Sequence, residues 1–375
     1  MSVHQTPSGR WGVRWRDGDR NRQKIFTNKA DAVRFDQDRQ RSRQLGAFGE
    51  VEPSAMRLAD LLRLWWAAES GGWARSNRIP RANLLDVWVA PYIGGVRLRD
   101  LGVQRITGYQ SEIIAAGCSV KQANRALVAL SAALSWAVRQ NHLPSNPCAR
   151  IRPRRVHEAS PRPRAIGVEQ VEQLRAVMPT ARDRAMVSLL FYAGLRPGEL
   201  LALRWSDIGE RTITVDRNYT AGELKGTKTG KRRSVVLIPA VGLELAELRP
   251  VDAHELDLIA PNASGGFINL NNWRNRTWNP AVRAVGLDAD PKRGVARLSP
   301  YDGRHSFASA LIHEGRSIVE VAGQLGHSTA STTLKHYAHI VEESRGGERI
   351  SLVDAVACVR DLFAMPDRRV PKTAV

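Results

Sequence analysis

Cysteine is scarce: Cys118, Cys148 and Cys358 are the only three in 375 residues, and they stand far apart. An odd number without CxxC spacing supports neither a disulfide framework nor a zinc site. Long apolar runs are missing too. The uncharged, mostly apolar stretch Ala126 to Val138 is too short to span a bilayer. The N-terminus, MSVHQTPSGRWGVRWRDG, lacks the apolar segment of a secretory signal. A cytoplasmic protein with no membrane partner is expected. No HExxH, no carboxylate cluster and no Cys/His grouping at ligand spacing occurs, nor any GxxxxGK[ST] loop. Neither a metal nor ATP is expected to take part, and no cofactor is implied.

Acidic residues are outnumbered, 37 Asp+Glu against 56 Lys+Arg, for a net charge of +19. That excess points to a polyanionic partner, nucleic acid before an anionic membrane. Only nine of the basic residues are Lys. Arginine suits two-pronged phosphate recognition, although a GC-rich genome produces the same bias. Hydrophobic residues make up 43%, enough for real cores, and the length suits about two or three compact units.

Residues 1–50 read as a small module of β-hairpin and helix. Trp11, Val13 and Trp15 alternate with Arg14 and Arg16, Asp17-Gly18-Asp19 supplies a turn, and Asn28 is placed to cap a helix running to about Gly46. Between Arg10 and Arg43 stand eleven Lys/Arg and five Asp/Glu. Arg14, Arg16, Arg22 and Lys24 are candidate DNA contacts; the alternative is a solvated face on a packed hairpin. Residues 55–149 read as helical. Leu58, Leu61, Leu62, Trp65 and Trp66 fall at helical spacing, and Ser119 caps a long helix through Val138. Exposed positions there, Arg75, Arg78, Arg81, Lys121 and Arg125, could touch phosphates or simply face water. Residues 150–164 hold six Arg and three Pro, which predicts an extended basic linker with Arg152, Arg154 and Arg155 near a phosphate backbone.

Residues 165–350 mix amphipathic helices, over Val168 to Met178 and Ala181 to Gly194, with two strands, Arg211 to Asp216 and Arg233 to Ile238, around a Lys- and Gly-rich turn. In residues 351–375, Leu352, Val353, Val356, Val359, Leu362 and Phe363 share one helical face. It either docks on a neighbouring protomer or folds back on its own domain. The last ten residues read as a loose tail. The fold class is multi-domain and mainly α, with a small antiparallel sheet.

Four segments of the third region carry chemistry together: Ala193-Gly194-Leu195-Arg196-Pro197-Gly198-Glu199-Leu200, the turn holding Lys225, Lys228 and Lys231, Tyr301-Asp302-Gly303-Arg304-His305, and Leu325-Gly326-His327 with Tyr337 ten residues on. Attack on a phosphodiester without metal builds charge on the non-bridging oxygens, which preplaced guanidinium and imidazole donors can stabilise. The leaving oxygen needs a proton, which a Lys among cations can supply, and the nucleophile needs a side chain able to form an ester. Arg196, Arg304, His327, Lys228 and Tyr337 fill those roles. Each alone is weak evidence; their order and company are specific.

At these residues the sequence resembles the tyrosine recombinase (phage integrase) family. AGLRPGEL is similar to its first arginine box, GRHSFASALIHEG to its second, and LGHSTASTTLKHYAH to its closing segment. Residues 55–149, ending near Asn146-Pro147, resemble the family's helical core-binding domain, and residues 1–50 its arm-type DNA-binding modules. The resemblance implies that Arg196 and Arg304 clamp the scissile phosphate and that Lys228 protonates the 5′ oxygen. It further implies that His327 binds a non-bridging oxygen and that Tyr337 forms a 3′-phosphotyrosyl link, with bond energy conserved. It implies double-stranded attachment sites, a homotetramer in the synaptic complex, an excision factor, a host DNA-bending protein, and association with the nucleoid of a bacterial host. Two departures stand out. Tyr301 occupies the position where the family has His, and a phenol, ordinarily titrating near ~10, is a poor base. Gly303 replaces the usual Leu, which is expected to loosen the start of that helix. The rival readings are a type IB topoisomerase-like strand transferase and a catalytically silent DNA-binding regulator.

Overall fold

The computed structural model describes residues 3–17, 20–44, 55–156, 164–226, 232–290, 295–343 and 349–364. The predicted linker's residues 157–163, the lysines Lys228 and Lys231, and the predicted tail, 366–375, lie outside the described residues. The chain divides into two compact units, Met1–His157 and Glu158–Val375, each with its own core.

The first unit opens with a three-stranded antiparallel sheet of β1 (Val3–Gln5), β2 (Trp11–Asp17) and β3 (Arg20–Phe26), followed by α1 (Lys29–Gln44). The hairpin follows the alternation in sequence; β1, too short to signal itself, was not expected. Asn28 caps α1, its Oδ1 accepting the Asp31 amide at 2.8 Å. Phe35 on α1 packs its ring against Trp15 and Phe26, and Val13 beneath them is fully buried.

Five helices follow: α2 (Leu58–Glu69), α3 (Arg75–Leu84), α4 (Ala90–Ile93), α5 (Val103–Ala115) and α6 (Val120–Arg139). A π turn over Leu85–Val89 joins α3 to α4. The predicted apolar stripes form the core: Leu58, Leu61, Leu62 and Trp65 from α2 face Leu127, Leu130 and Leu134 from α6. Ser119 caps α6, its Oγ accepting the Gln122 amide at 3.2 Å. Asn146 closes the domain against α6, its Nδ2 donating to Ser135 Oγ at 2.8 Å and to the Ser131 carbonyl at 3.0 Å. The predicted extended linker is anchored at one point. Arg154 is clamped to α6 by Asn124, whose side chain accepts the Arg154 amide at 2.9 Å and donates to its carbonyl at 2.8 Å.

The second unit is built around α8 (Ala181–Tyr192), with α7 (Val168–Ala176) beside it and α9 (Pro197–Leu201) after it. The strands are β4 (Thr212–Val215), β5 (Arg217–Thr220), β6 (Glu223–Gly226) and β7 (Arg233–Val236). Next come α10 (Pro239–Leu248), α11 (Leu270–Trp273), α12 (Asn279–Ala284), α13 (Asp302–His313), α14 (Ile318–Leu325), α15 (Ala330–Glu343) and α16 (Leu352–Ala364). Sequence pattern reads α8 as amphipathic, but it is buried from Ala185 through Tyr192, because α7, α10 and α13 all pack on it. β4 pairs with β7 as expected, yet the chain between them holds a second hairpin, β5–β6. Its two-residue turn places Ala221 and Gly222 at φ 56° and 81°, the paired positive angles that tight hairpins require.

The last helix packs on its own unit. Leu352 and Val356 enter the core, and Arg360 donates to the Ala240 carbonyl at 2.7 Å and to Glu244 Oε2 at 3.0 Å. Among the described residues, no helix is long and apolar enough to cross a membrane.

Candidate active site

Gly303 shapes the site before any charged group does. A Cβ there would lie 2.8 Å from the Leu190 carbonyl oxygen of α8. The residue expected to loosen α13 instead lets the helix lie close against α8, and α13 runs regularly from Asp302. Arg304, next on that helix, is 5% exposed. Its Nη1 donates to the Gly194 carbonyl at 3.0 Å and its Nη2 to the Leu325 carbonyl. One guanidinium thus ties the first arginine segment to the Leu325-Gly326-His327 segment. Burial and the nearby Arg196 pull its pKa down to about 9, leaving it charged at neutral pH.

Arg196 precedes α9, and Glu199 binds it twice, accepting from the backbone amide at 2.9 Å and from Nη1 at 2.8 Å. These two contacts orient the Arg196 guanidinium. The carboxylate also takes both Nη groups of Arg233, at 2.8 and 2.7 Å. Although burial opposes its charge, the Arg233 hydrogen bonds and the neighbouring arginines bring Glu199 down to about 2. A single anion therefore sits among three arginines, and the local field stays positive, as an anionic substrate requires.

Gly326 ends α14 in the left-handed conformation, φ 63°, which glycine adopts without strain. This turn presents His327, half-buried, with Nδ1 2.7 Å from Oγ1 of the fully buried Thr333. Burial and the positive charge of Arg304 and Arg196 press the His327 pKa down to about 4, so the ring is neutral at pH 7. A Thr333 hydroxyl donating to Nδ1 leaves the ring proton on Nε2, free to donate to an oxyanion. Tyr337 follows on α15, 4% exposed, its hydroxyl 2.7 Å from His305 Nδ1. Burial pushes its phenol up to about 12.

Four separate stretches thus converge: Arg196 before α9, Arg304 on α13, His327 after α14 and Tyr337 on α15. Residues 164–344 match the phage integrase family. Over these residues the chain carries a phage integrase domain.

Tyrosine recombinase XerC of Herpetosiphon aurantiacus is 28% identical over 184 residues, covering 48% of this chain and 56% of that protein. The ICEBs1 integrase of Bacillus subtilis is 25% identical over 252 residues, covering 63% of this chain and 66% of that protein. The chain thus spans somewhat less than two thirds of each relative. A lambda integrase dimer bound to a COC′ core site shares the fold at TM-score 0.62 and 17% identity, over 94% of this chain and 97% of that one. A lambda integrase tetramer bound to a Holliday junction does so at TM-score 0.59 and 16% identity, over 88% and 96%.

Within the integrase domain, Tyr301 stands apart. It is 55% exposed at the start of α13, and among the described residues no hydrogen bond joins it to Tyr337. Lys228, outside the described residues, falls between β6 and β7; Lys225 on β6 pairs with Glu223. No group of three His, Cys, Asp or Glu able to hold a metal occurs among the described residues.

Three residues of this site escaped the sequence reading. Arg233 reads from sequence as the start of a strand after the Lys-rich turn, although Glu199, a lone acid beside an arginine box, is a signal for a second cation. Nothing in STASTTLKHY distinguishes Thr333. His305 has no role assigned by the sequence, yet it meets the Tyr337 hydroxyl.

The candidate DNA contacts are scattered. Strand register sets positions 14 and 16 on one face of the hairpin and positions 22 and 24 on the other. Arg14 is exposed, with Nε 3.4 Å from Gln23 Oε1, whereas the Lys24 ammonium lies 4.6 Å above the Phe35 ring. Arg22, Lys121, Arg125, Arg152 and Arg155 are exposed; Arg154 is held by Asn124, and Arg81 lies 4.4 Å over Trp73.

Proposed function

We propose that the chain is a site-specific DNA recombinase, an integrase that cuts and rejoins strands through a 3′-phosphotyrosyl intermediate to insert or excise a mobile element. The observation that carries the reading is the meeting of Arg196, Arg304 and His327 in one electropositive site with a Tyr on the adjoining helix. Two arginines hold the non-bridging oxygens, His327 donates from Nε2, and Tyr337 attacks phosphorus. Lys228, from the β6–β7 connection, protonates the departing 5′ oxygen. Charge stabilisation by fixed donors of this kind contributes about 10²–10³ per group in rate. The ester keeps the energy of the broken bond, so rejoining needs no ATP.

The partners in this reading are double-stranded attachment sites, gripped by the helical domain and by the N-terminal module, and three further copies of the chain in a synaptic tetramer. An excision factor and a host DNA-bending protein complete the assembly, which works at the nucleoid in the bacterial cytoplasm. Arg14, Arg16, Arg22, Lys24, Lys121, Arg125, Arg152, Arg154 and Arg155 supply phosphate contacts.

A pool of nicked duplexes of random sequence identifies the substrate: wild-type protein in EDTA captures, as covalent adducts, the sequences it cleaves. Two plasmids carrying a captured sequence should then exchange strands. Relaxation of one supercoiled plasmid with no exchange between two would instead indicate a topoisomerase, and binding without adducts a silent regulator.

A further inference from the structure

The base that should deprotonate the nucleophile is missing from its expected place. Position 301 holds a phenol, 55% exposed and out of hydrogen-bonding contact with Tyr337. A different imidazole is in contact. His305 lies one turn further along α13, where that helix packs on α15, and its Nδ1 is 2.7 Å from the Tyr337 oxygen with the ring centroids 5.7 Å apart. Among the described residues this is the hydroxyl's one hydrogen-bond partner.

We infer that His305 accepts the phenolic proton of Tyr337 as the tyrosine attacks, in place of a base at position 301. The inference rests on the recombinase reading. The Oη–H bond breaks as its proton passes to Nδ1, and the oxygen's electron pair forms the bond to phosphorus. The P–O5′ bond breaks, its pair leaving with the 5′ oxygen, which takes a proton from the general acid. On rejoining, the incoming 5′-hydroxyl returns a proton to that acid as its oxygen forms the P–O5′ bond, the P–Oη bond breaks with its pair leaving on Oη, and the phenolate recovers its proton from the imidazolium.

The surroundings suit the task. Burial lowers the His305 pKa, opposed by Asp302 and assisted by His336 and Arg304, so the ring is neutral and able to accept at neutral pH. Asp302 and Arg304 belong to its own helix; His336 and Tyr337 face it from α15, and His327 from the turn before α15. Tyr337, buried and pushed up to about 12, does not ionise unaided. An adjacent general base, stronger than water and already hydrogen-bonded, is what activates such a nucleophile.

The test uses the full chain and a duplex captured from the random pool. Single-turnover adduct formation is followed across pH for wild type, His305→Ala and His305→Gln, with duplex affinity measured alongside. Glutamine fills the site without taking up a proton, so a collapse of the alanine variant does not remove the test. Both variants should bind the duplex but form adduct about 10²–10⁴ times more slowly, the usual range for general-base catalysis. Both should also lose the acid limb of the wild-type profile, and added imidazole should speed His305→Ala. Adduct at the wild-type rate in either variant, or a slowed variant that keeps the acid limb, would overturn the assignment. Absence of adduct from wild type would instead remove the recombinase reading, on which the assignment depends.

Discussion

Arg233 and Glu199 face each other as a two-pronged ion pair, with Nη1–Oε1 2.8 Å and Nη2–Oε2 2.7 Å, and side chains 10% and 2% exposed. Arg196 leans on the same carboxylate. Arg233 also reaches the Gln324 carbonyl at 3.1 Å, so the pair joins β7, α9 and the end of α14 beneath the site.

Glu199→Gln should therefore cost more than one surface ion pair. Removing one member of a buried pair costs about 3–5 kcal/mol, here with Arg196, Arg233 and Arg304 left without their shared anion. The folded-state value of Glu199, about 2, lies below its ordinary 4.5. Its contribution is therefore complete above pH 4.5 and disappears as the pH falls toward 2. Urea unfolding at pH 7 and at pH 3 checks both statements: the gap between wild type and Glu199→Gln should narrow in acid. An equal gap at both pH values would contradict this.

Thr333→Val keeps the volume of a fully buried side chain and removes its hydroxyl. His327 then has no partner fixing its proton on Nε2. Adduct formation should slow about tenfold, the scale of one lost buried hydrogen bond, with duplex affinity unchanged, and Thr333→Ser should restore it. An unchanged rate in Thr333→Val would mean that the 2.7 Å contact does not set the tautomer.

Gly303→Ala tests the close approach of α13 to α8. A methyl group 2.8 Å from a backbone carbonyl has nowhere to go without shifting a helix, and overpacking of this kind costs about 1–3 kcal/mol. A lowered urea midpoint is expected, with slower cleavage as Arg304 moves. A midpoint equal to wild type would show that the helix backbones yield freely.

Much of this architecture was legible in the sequence. Leu58 through Trp66 and the stripe on α6 announced a helical core because their spacing is that of a helix face. Arg196, Arg304, His327 and Tyr337 were legible because their flanking glycines and order form recognisable boxes. What could not be read depended on pairings across the fold. The β5–β6 hairpin turns at Ala221, a residue that does not advertise a turn. Gly303 looked like a weakness because the α8 backbone it accommodates lies far away in sequence. The role of His305 could not be read because its distance from Tyr337 is a property of α13 packing on α15, which no local pattern encodes.

The proposed recombinase function stands on metal-free phosphotyrosine chemistry at Tyr337. The most direct measurement mixes labelled nicked duplex, captured from the random pool, with protein in EDTA and separates products on a denaturing gel, comparing wild type with Tyr337→Phe. Wild type should give a covalent protein–DNA band and Tyr337→Phe none, with equal duplex binding by both. A band from Tyr337→Phe, or none from a wild-type chain that binds the duplex, would contradict it.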